Sequence, residues 1–220
     1  MRIAEIFYSV QGEGTLVGVP SVFVRTSGCN LRCAWCDTPY TSWQPEGEER
    51  TIQSIVDEAI SFGTRHVVVT GGEPMIAPEI GELTRLLKGH LTIETAGTVD
   101  ADVRCDLMSI SPKLANSTPE GRFAAQHERL RRQPEVLRSL LSRFPYQLKF
   151  VVVNAGDLDE IHLLVKETGA DPAHVVLMPE GIDAAVLAER GRWLVEICKR
   201  EGFRYSPRLH VDLWGARRGV

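Results

Sequence analysis

Hydrophobic positions recur along the chain with two alternating periods, which predict a series of strands and helices. Short runs of strand-like composition are predicted at Ser21–Thr26, His66–Thr70, Leu91–Thr95, Asp106–Ser111, Gln147–Val153, His174–Met178 and Arg204–Val211. Apolar residues spaced three and four apart predict a helix capped by Thr51 and ended by Gly63, and further helices at Glu79–Lys88, Ala124–Arg132, Pro134–Phe144, Leu158–Glu167 and Ala184–Arg200. Strands separated by single helices imply parallel pairing with right-handed crossovers.

This alternation indicates an α/β fold built on a parallel sheet. Six strand–helix units are too few for a closed eight-fold barrel, so we expect a partial, TIM-like (β/α)6 barrel rather than a flat doubly wound sheet. The pattern alone does not separate these two. Since no repeat, low-complexity stretch or linker interrupts the chain, we expect residues 1–220 to form a single domain.

Unusual polar or glycine-rich segments follow the predicted strands. They are a cysteine-rich loop and the sequences TGGEP (70–74), ETAG (94–97), SPK (111–113) and MPEG (178–181). Because parallel α/β folds place their active sites at the carboxyl ends of the strands, these loops are expected to meet at one mouth.

Composition narrows the class of protein. With a net charge of −4, the chain shows no basic footprint for nucleic acid. No apolar run approaches the roughly 18 residues of a membrane span, and the amino terminus does not resemble a signal peptide. A cytoplasmic protein without nucleic-acid or membrane partners is therefore expected.

Three of the five cysteines, Cys29, Cys33 and Cys36, lie within one loop. Thiolates at this spacing can each reach a different iron of a [4Fe-4S] cluster, which leaves one iron open for a ligand. A structural zinc ion completed by Asp37 or His66 is the alternative, although such sites usually contain two C-x2-C pairs. The remaining cysteines, Cys105 and Cys198, are predicted to be buried, inert thiols.

The segment Cys29-x3-Cys33-x2-Cys36, with Trp35 before the last cysteine, resembles the signature of radical S-adenosylmethionine (SAM) enzymes. Gly71-Gly72-Glu73-Pro74 is similar to the glycine-rich loop with which that superfamily holds the methionyl amino group.

A closer resemblance covers nearly the whole chain. Residues 5–14 (EIFYSVQGEG), Phe23-Val-Arg25, Cys36-Asp-Thr38, residues 70–74, Glu94-Thr-x-Gly97 and Ser111-Pro-Lys113 resemble the 7-carboxy-7-deazaguanine synthase family. The resemblance implies a shortened (β/α)6 barrel that converts 6-carboxy-5,6,7,8-tetrahydropterin to 7-carboxy-7-deazaguanine and releases ammonia, a step toward queuosine. It also implies catalytic use of SAM, assistance by Mg2+, a homodimer, and flavodoxin or ferredoxin as the reductant.

The resemblance further assigns residues to the cofactors. The SAM contacts carried over are Trp35, Cys36, Asp37, Gly72, Ser111, Pro112, Lys113, Leu177, Met178, Pro179 and Glu180. Thr38 is carried over as the Mg2+ ligand. A neutral hydroxyl is a weak sole ligand, so the substrate carboxylate and waters would complete the ion's shell.

Substrate contacts are expected from Val10, Gln11, Gly12, Arg25 and Thr70. Arg25 suits the pterin carboxylate because a guanidinium makes paired, charge-assisted hydrogen bonds. Glu13 is expected to accept hydrogen bonds from the pterin ring. His210, which we predict on the last strand, aligns with a histidine near the family's substrate pocket. Arg25, Glu13 and His210 are the residues expected to be catalytic.

The nearest alternative function is an activating enzyme that makes a glycyl radical on a partner protein. Such an enzyme would share the cysteine and GGEP loops but would not need residues 11–14, Arg25 or SPK. The basic tail Leu213–Val220 resembles one of two tail types in the deazaguanine synthase family.

Overall fold

The computed structural model describes all 220 residues and contains one nine-stranded sheet. Its strands are β1 Arg2–Val10, β2 Pro20–Thr26, β3 Glu48–Glu49, β4 His66–Gly71, β5 His90–Thr95, β6 Leu107–Ile110, β7 Tyr146–Val152, β8 Val175–Pro179 and β9 Arg204–Tyr205. They lie side by side in the order β3-β1-β2-β4-β5-β6-β7-β8-β9. All pairs from β2 to β9 are parallel, whereas β1 is antiparallel to both β2 and β3.

The helices are α1 Pro39–Ser42, α2 Ile52–Ser61, α3 Ile80–Leu86, α4 Ala124–Arg131, α5 Pro134–Arg143, α6 Asp157–Thr168, α7 Ala184–Glu201 and α8 Leu209–Trp214. Side-chain oxygens cap two of them, as Thr51 accepts the Ser54 N–H before α2 and Asp183 accepts two N–H groups before α7. None of the helices is long and apolar enough to cross a membrane.

Alternate residues of the parallel strands face opposite sides of the sheet, as the strand period of two requires. One set is apolar and belongs to the main hydrophobic core with the helices: Val22, Val24, Val67, Val69, Leu91, Ile93, Met108, Ile110, Leu148, Phe150, Val152, Val175 and Leu177. The other set contains Arg25, Thr70, Glu94, Ser109, Lys149 and Met178, and it lines a pocket. One face of the sheet therefore builds the core and the other builds the site.

The sheet is strongly curved but not closed. Neighbouring strands are about 4.8 Å apart, so β1 and β7, with four strands between them, would lie about 24 Å apart in a flat sheet. Instead, Glu13, just after β1, forms an ion pair with Lys149 of β7. The sheet thus wraps around the pocket while its end strands, β3 and β9, stay unpaired with each other. This is the partial barrel expected from the pattern.

The predicted strands between residues 20 and 179 and the predicted helices from Glu79 onward lie within two residues of the observed bounds. The last predicted strand is wrong beyond Tyr205, because residues 209–214 form helix α8 and His210 lies on that helix. Strand β1 was not predicted as part of the sheet. Most side chains of β1 are only partly buried, so polar and apolar residues do not alternate clearly along it and its strand period is hard to detect in the sequence.

Candidate active site

The pocket lies at the carboxyl ends of the parallel strands and has a volume of about 370 Å3. It brings together eighteen of the residues singled out in the sequence, namely Val10, Gln11, Gly12, Glu13, Arg25, Cys29, Cys33, Trp35, Cys36, Asp37, Thr38, Thr70, Gly72, Ser111, Lys113, Met178, Glu180 and His210. The loops expected to meet at one mouth therefore do so.

The cysteine loop is held mainly by hydrogen bonds to its backbone. The Trp43 indole N–H donates to the carbonyl of Cys33 at 3.0 Å, and the Ala34 N–H donates to the carbonyl of Ser117 at 2.8 Å. The Arg32 guanidinium donates to the carbonyl of Cys29 at 2.8 Å. These bonds fix the loop through its backbone. Two of the thiol groups have weaker contacts of their own, as Cys29 Sγ accepts the Leu31 N–H at 3.3 Å and Cys36 Sγ lies 3.2 Å from the Ser42 hydroxyl.

A buried histidine supports the same loop from behind. His127 Nδ1 accepts the backbone N–H of Arg32 at 3.2 Å, so Nε2 carries the proton and faces the Ser117 hydroxyl at 2.9 Å. Burial lowers the pKa of His127 and favours this neutral form. No pattern in the sequence indicates the role of His127, since it lies on a helix 91 positions beyond Cys36.

The three thiols share a small apolar cluster. None of them forms a disulfide, and Cys29, Cys33 and Cys36 pack with Leu31 and Ala96. Burial raises the pKa of Cys29 to about 11 and that of Cys33 to about 12, because a thiolate in this dry setting lacks a strong counter-charge. No group of three or more His, Cys, Asp or Glu side chains is arranged to hold a single metal ion. A cluster instead takes each thiolate on a separate iron and supplies the missing positive charge, so the donor set fits a [4Fe-4S] cluster.

The glycine-rich turn after β4 packs directly against this loop. A Cβ at Gly72 would lie 2.1 Å from the carbonyl oxygen of Gly28 and 2.8 Å from Cys29 Cβ. The next residue, Glu73, is buried and accepts hydrogen bonds from the Thr95 hydroxyl and the Ala96 N–H, both at 2.8 Å. Gly72 thus permits close contact between the two loops, and Glu73 ties them to the ETAG segment.

Other predicted cofactor contacts lie beside the cysteines. Lys113 Nζ donates to the hydroxyl and the carbonyl of Ser111, at 2.8 and 2.9 Å, and lies 5.8 Å from the centre of the Trp35 ring. The Trp35 indole N–H donates to the Asn116 carbonyl at 3.0 Å. Lys113 is therefore a partly buried pocket residue rather than a solvated surface charge.

Elsewhere in the pocket, Glu94 orients two predicted substrate contacts. Its carboxylate accepts from Gln11 Nε2 at 3.1 Å and from the Thr70 hydroxyl at 2.8 Å. The amide oxygen of Gln11 accepts the backbone N–H of Glu13 at 3.1 Å. These three hydrogen bonds fix the loop after β1 to strands β4 and β5.

Glu13 is the centre of a buried charge cluster. Its carboxylate pairs with Lys149 and, at 3.1 Å, with Arg208, while Arg208 also pairs with Asp37. Burial alone would raise the pKa of Glu13, but Lys149 and Arg208 outweigh it and hold that pKa well below its usual value. Glu13 is therefore an ionised hydrogen-bond acceptor at neutral pH.

Arg25 belongs to a second ion-pair group. Its Nε donates to Glu5 Oε1 at 2.8 Å, and the Tyr40 hydroxyl donates to the same oxygen at 2.8 Å. From the carboxy-terminal segment, Arg218 donates to Glu5 Oε2 at 3.2 Å and stacks over the Tyr40 ring at 4.1 Å. Arg25 thus reaches the pocket already oriented by a carboxylate.

His210 approaches the glycine of the loop after β1. A Cβ on Gly12 would lie 2.0 Å from His210 Nδ1, and the Leu209 N–H donates to the Gly12 carbonyl at 2.9 Å. Burial is the largest effect on the pKa of His210 and lowers it. Helix α8 is therefore docked on the predicted substrate loop.

Three predicted cofactor contacts do not line the pocket: Pro112, Leu177 and Pro179. Leu177 is fully buried in the main core, since it lies on the helix-facing side of β8. Sequence reasoning placed Glu94 at the mouth through the ETAG segment but gave it no role, and it missed Lys149 and Arg208 as site residues. A charged residue within the apolar strand around Lys149 was the available signal, whereas Arg208 lay in a segment predicted to be strand.

The comparisons with known proteins agree with this geometry. The sequence profile of the Radical SAM superfamily matches residues 23–132. The chain is 45% identical to the 7-carboxy-7-deazaguanine synthase of Rhodopirellula baltica over 228 aligned residues, which cover all of this chain and 89% of that protein. It is also 45% identical to the enzyme of that name from Halobacterium salinarum, over 97% of this chain and 90% of that protein.

The solved structures give the same result. The crystal structure of QueE from Escherichia coli superposes with a TM-score of 0.70 at 27% identity, covering 95% of this chain and 94% of that chain. Streptococcus suis SuiB, at 14% identity and a TM-score of 0.58, shares the fold over 87% of this chain and 49% of that chain.

Proposed function

The chain belongs to the 7-carboxy-7-deazaguanine synthase family of the radical SAM superfamily, and on this premise we propose how its pocket performs that reaction. The reaction converts 6-carboxy-5,6,7,8-tetrahydropterin to 7-carboxy-7-deazaguanine with release of ammonia, in queuosine biosynthesis. Family membership over the full chain excludes the structural zinc ion and the glycyl-radical activating enzyme considered from the sequence.

The cofactors of this family are a [4Fe-4S] cluster and SAM. Cys29, Cys33 and Cys36 would hold the cluster, and the GGEP turn, Trp35, Asp37, Ser111 and Lys113 would surround SAM. When bound, the pair supplies a carbon-centred radical by reductive cleavage of the SAM sulfonium. The protein's own task is to hold both ligands and exclude water.

The observation that supports the pterin substrate best is the set of fixed polar groups that line the pocket together with the cysteines. Glu13 is an ionised acceptor suited to ring N–H groups, and Gln11 and Thr70 are oriented by Glu94. Arg25 offers charge-assisted hydrogen bonds to the pterin carboxylate. Because Glu5 holds Arg25 at one nitrogen, the rest of the guanidinium can face the substrate.

Magnesium is part of the proposal. Thr38 lines the pocket, and its hydroxyl lies 3.4 Å from the Thr41 hydroxyl and 3.9 Å from Cys36 Sγ. A site of this kind would need the substrate carboxylate and waters to complete an octahedral shell. We therefore propose that Mg2+ binds at Thr38 only when the pterin is present, where it orients the substrate.

Several further assignments complete the proposal: the homodimer and the reductant rest on the family resemblance, and the domain and the location rest on the sequence pattern. We propose one domain spanning residues 1–220, a homodimer, a cytoplasmic location, and flavodoxin or ferredoxin as the reductant. The single continuous sheet supports the domain assignment.

An anaerobic turnover assay tests the proposal. Cluster-reconstituted protein is incubated with 6-carboxytetrahydropterin, SAM, Mg2+ and a reductant, and the products are separated by chromatography. We expect 7-carboxy-7-deazaguanine and ammonia in equal amounts. Cleavage of SAM without any deazapurine would reject the proposed substrate and leave the radical chemistry intact.

A further inference from the structure

Arg208 connects three separate segments around the pocket. Its side chain is only 7% exposed. Nε donates to Glu13 Oε1 at 3.1 Å, Nη1 donates to the Gly181 carbonyl at 2.6 Å, and Nη2 donates to the carboxylate of Asp37. Every nitrogen of the guanidinium is therefore used, each by a different segment.

The two carboxylates belong to different ligand sites. Glu13 lies on the loop after β1, among the groups assigned to the pterin, whereas Asp37 follows the last cysteine and faces the SAM site. Glu13 has a second cation in Lys149, but Arg208 is the only residue that donates a hydrogen bond to Asp37. Asp37 thus depends on a residue that is itself tied to the substrate loop.

The geometry of the guanidinium makes this connection rigid. Its donors lie in one plane with fixed angles, so a shift of either carboxylate must turn the whole group. A ligand that orders Glu13 therefore also orders Asp37. The second ligand then binds to a site whose ordering cost has already been met.

We propose that Arg208 is a positioning residue that couples binding of the pterin substrate at Glu13 to binding of SAM at Asp37. This inference rests on the proposed function, because that function assigns the two ligands to the two sides of the pocket. It goes further in making the two binding events interdependent through one side chain.

A second buried arginine provides a matched control. Arg131 is 8% exposed and also binds two carboxylates, those of Glu128 at 2.7 Å and Glu160 at 2.5 Å, together with the carbonyl of Lys113 at 3.1 Å. Its side chain does not line the pocket. A variant at this position disturbs a similar ion-pair cluster without breaking a link between the two ligand sites.

The test uses anaerobic enzyme with an oxidised cluster and no reductant, so that both ligands bind without turnover. Calorimetric titration gives the SAM dissociation constant with and without saturating 6-carboxytetrahydropterin. Coupling between sites is commonly about 5- to 150-fold, and we expect the pterin to tighten SAM binding in the wild type within that range. The converse titration must give the same factor, because coupling is reciprocal.

The measured ratio is the SAM dissociation constant without pterin divided by that with saturating pterin. In Arg208→Lys the charge is kept but the planar three-way contact is lost, so this ratio is expected to fall to about one. Asp37→Asn removes the charged partner instead and should also bring the ratio to about one, even where SAM binding itself is weaker. Arg131→Lys is expected to keep the wild-type ratio. Iron content and thermal unfolding confirm that each variant is folded and loaded.

The outcomes separate this inference from the proposed function. A wild-type ratio of one, or a wild-type ratio retained in both Arg208→Lys and Asp37→Asn, overturns the coupling and leaves the function standing. A wild-type enzyme that binds no pterin overturns both. Loss of the ratio in Arg131→Lys as well would make Arg208 an ordinary structural residue and would also overturn the inference.

Discussion

The two sides of the pocket are built in opposite ways. The cysteine side is apolar and local, since its three thiols lie within one loop and pack against Leu31 and Ala96. The opposite side is charged and assembled from distant segments: Glu13 meets Lys149, 136 positions away, and Arg208, 195 positions away. On one side the thiols lack a strong counter-charge where a metal centre must bind, and the other side contains ion pairs that are already complete.

This difference indicates how each side recognises its ligand. Buried thiols with raised pKa values favour a ligand that brings positive charge, so binding of iron completes the cysteine side. On the charged side the ion pairs neutralise one another, and what remains for the substrate is a set of oriented donors and acceptors. Such oriented groups give specificity because most of the ordering is done before the ligand arrives. The small ordering cost that remains is the part that Arg208 would share between the two ligands.

The largest effect is expected from Cys33→Ala, which breaks the cysteine side alone. It removes one of three iron ligands, so cluster binding and SAM cleavage should both be abolished while the fold is retained. Iron analysis and visible absorbance after anaerobic reconstitution measure the first effect, and release of deoxyadenosine measures the second. The matched control is Cys198→Ala, a buried cysteine on α7 that should keep a full complement of iron. A brown Cys33→Ala protein that cleaves SAM would refute the assignment.

Arg25→Ala should break the charged side and leave the cysteine side intact. A charge-assisted hydrogen bond contributes about 1.5–3 kcal/mol, so substrate affinity should fall roughly 10- to 150-fold, with normal iron content. Because Arg25 is already paired with Glu5, we expect the lower part of that range. Titration of the oxidised enzyme with the pterin measures the effect.

The control for Arg25→Ala is Arg50→Ala. Arg50 is a partly buried arginine that is paired with Glu58 and lies outside the pocket. This control should bind the pterin as the wild type does. Unchanged pterin affinity in Arg25→Ala would remove Arg25 from the substrate site.

The same contrast explains what the sequence could predict. The cysteine spacing, the GGEP turn and the alternating strands are local patterns, and each predicts its structure without knowledge of the rest of the chain. The partners of Glu13 could not be found in this way, because the curvature of the sheet decides which distant residues meet across it. The prediction for residues 209–211 failed because α8 has only six residues. A helix this short contains too few periods to be distinguished from a strand in the sequence.

The smallest effect is expected from Lys149→Met, which removes one cation from the charged side but keeps the length of the buried side chain. Burial then acts on Glu13 with Arg208 and, more weakly, His210 opposing it, so the pKa of Glu13 should rise toward its usual value of about 4.3 or above it. At pH 8 we expect the pterin affinity to fall only several-fold, because Glu13 is still ionised and still held by Arg208.

The pH profile makes this prediction specific. In the wild type the folded-state pKa of Glu13 is depressed, so its ionised form persists far below neutral pH and pterin affinity should not change between pH 8 and 4.5 on its account. In Lys149→Met the carboxylate takes up a proton as the pH falls toward its raised pKa, and a protonated Glu13 is a poorer acceptor for ring N–H groups. Affinity should therefore fall progressively on the acid side in the variant alone.

Lys199→Met, at an exposed lysine on α7, removes the same charge and should reproduce the flat wild-type profile. A flat profile in Lys149→Met would mean that Arg208 keeps Glu13 ionised without help from Lys149. Lys149 would then stabilise the sheet and have no part in substrate binding.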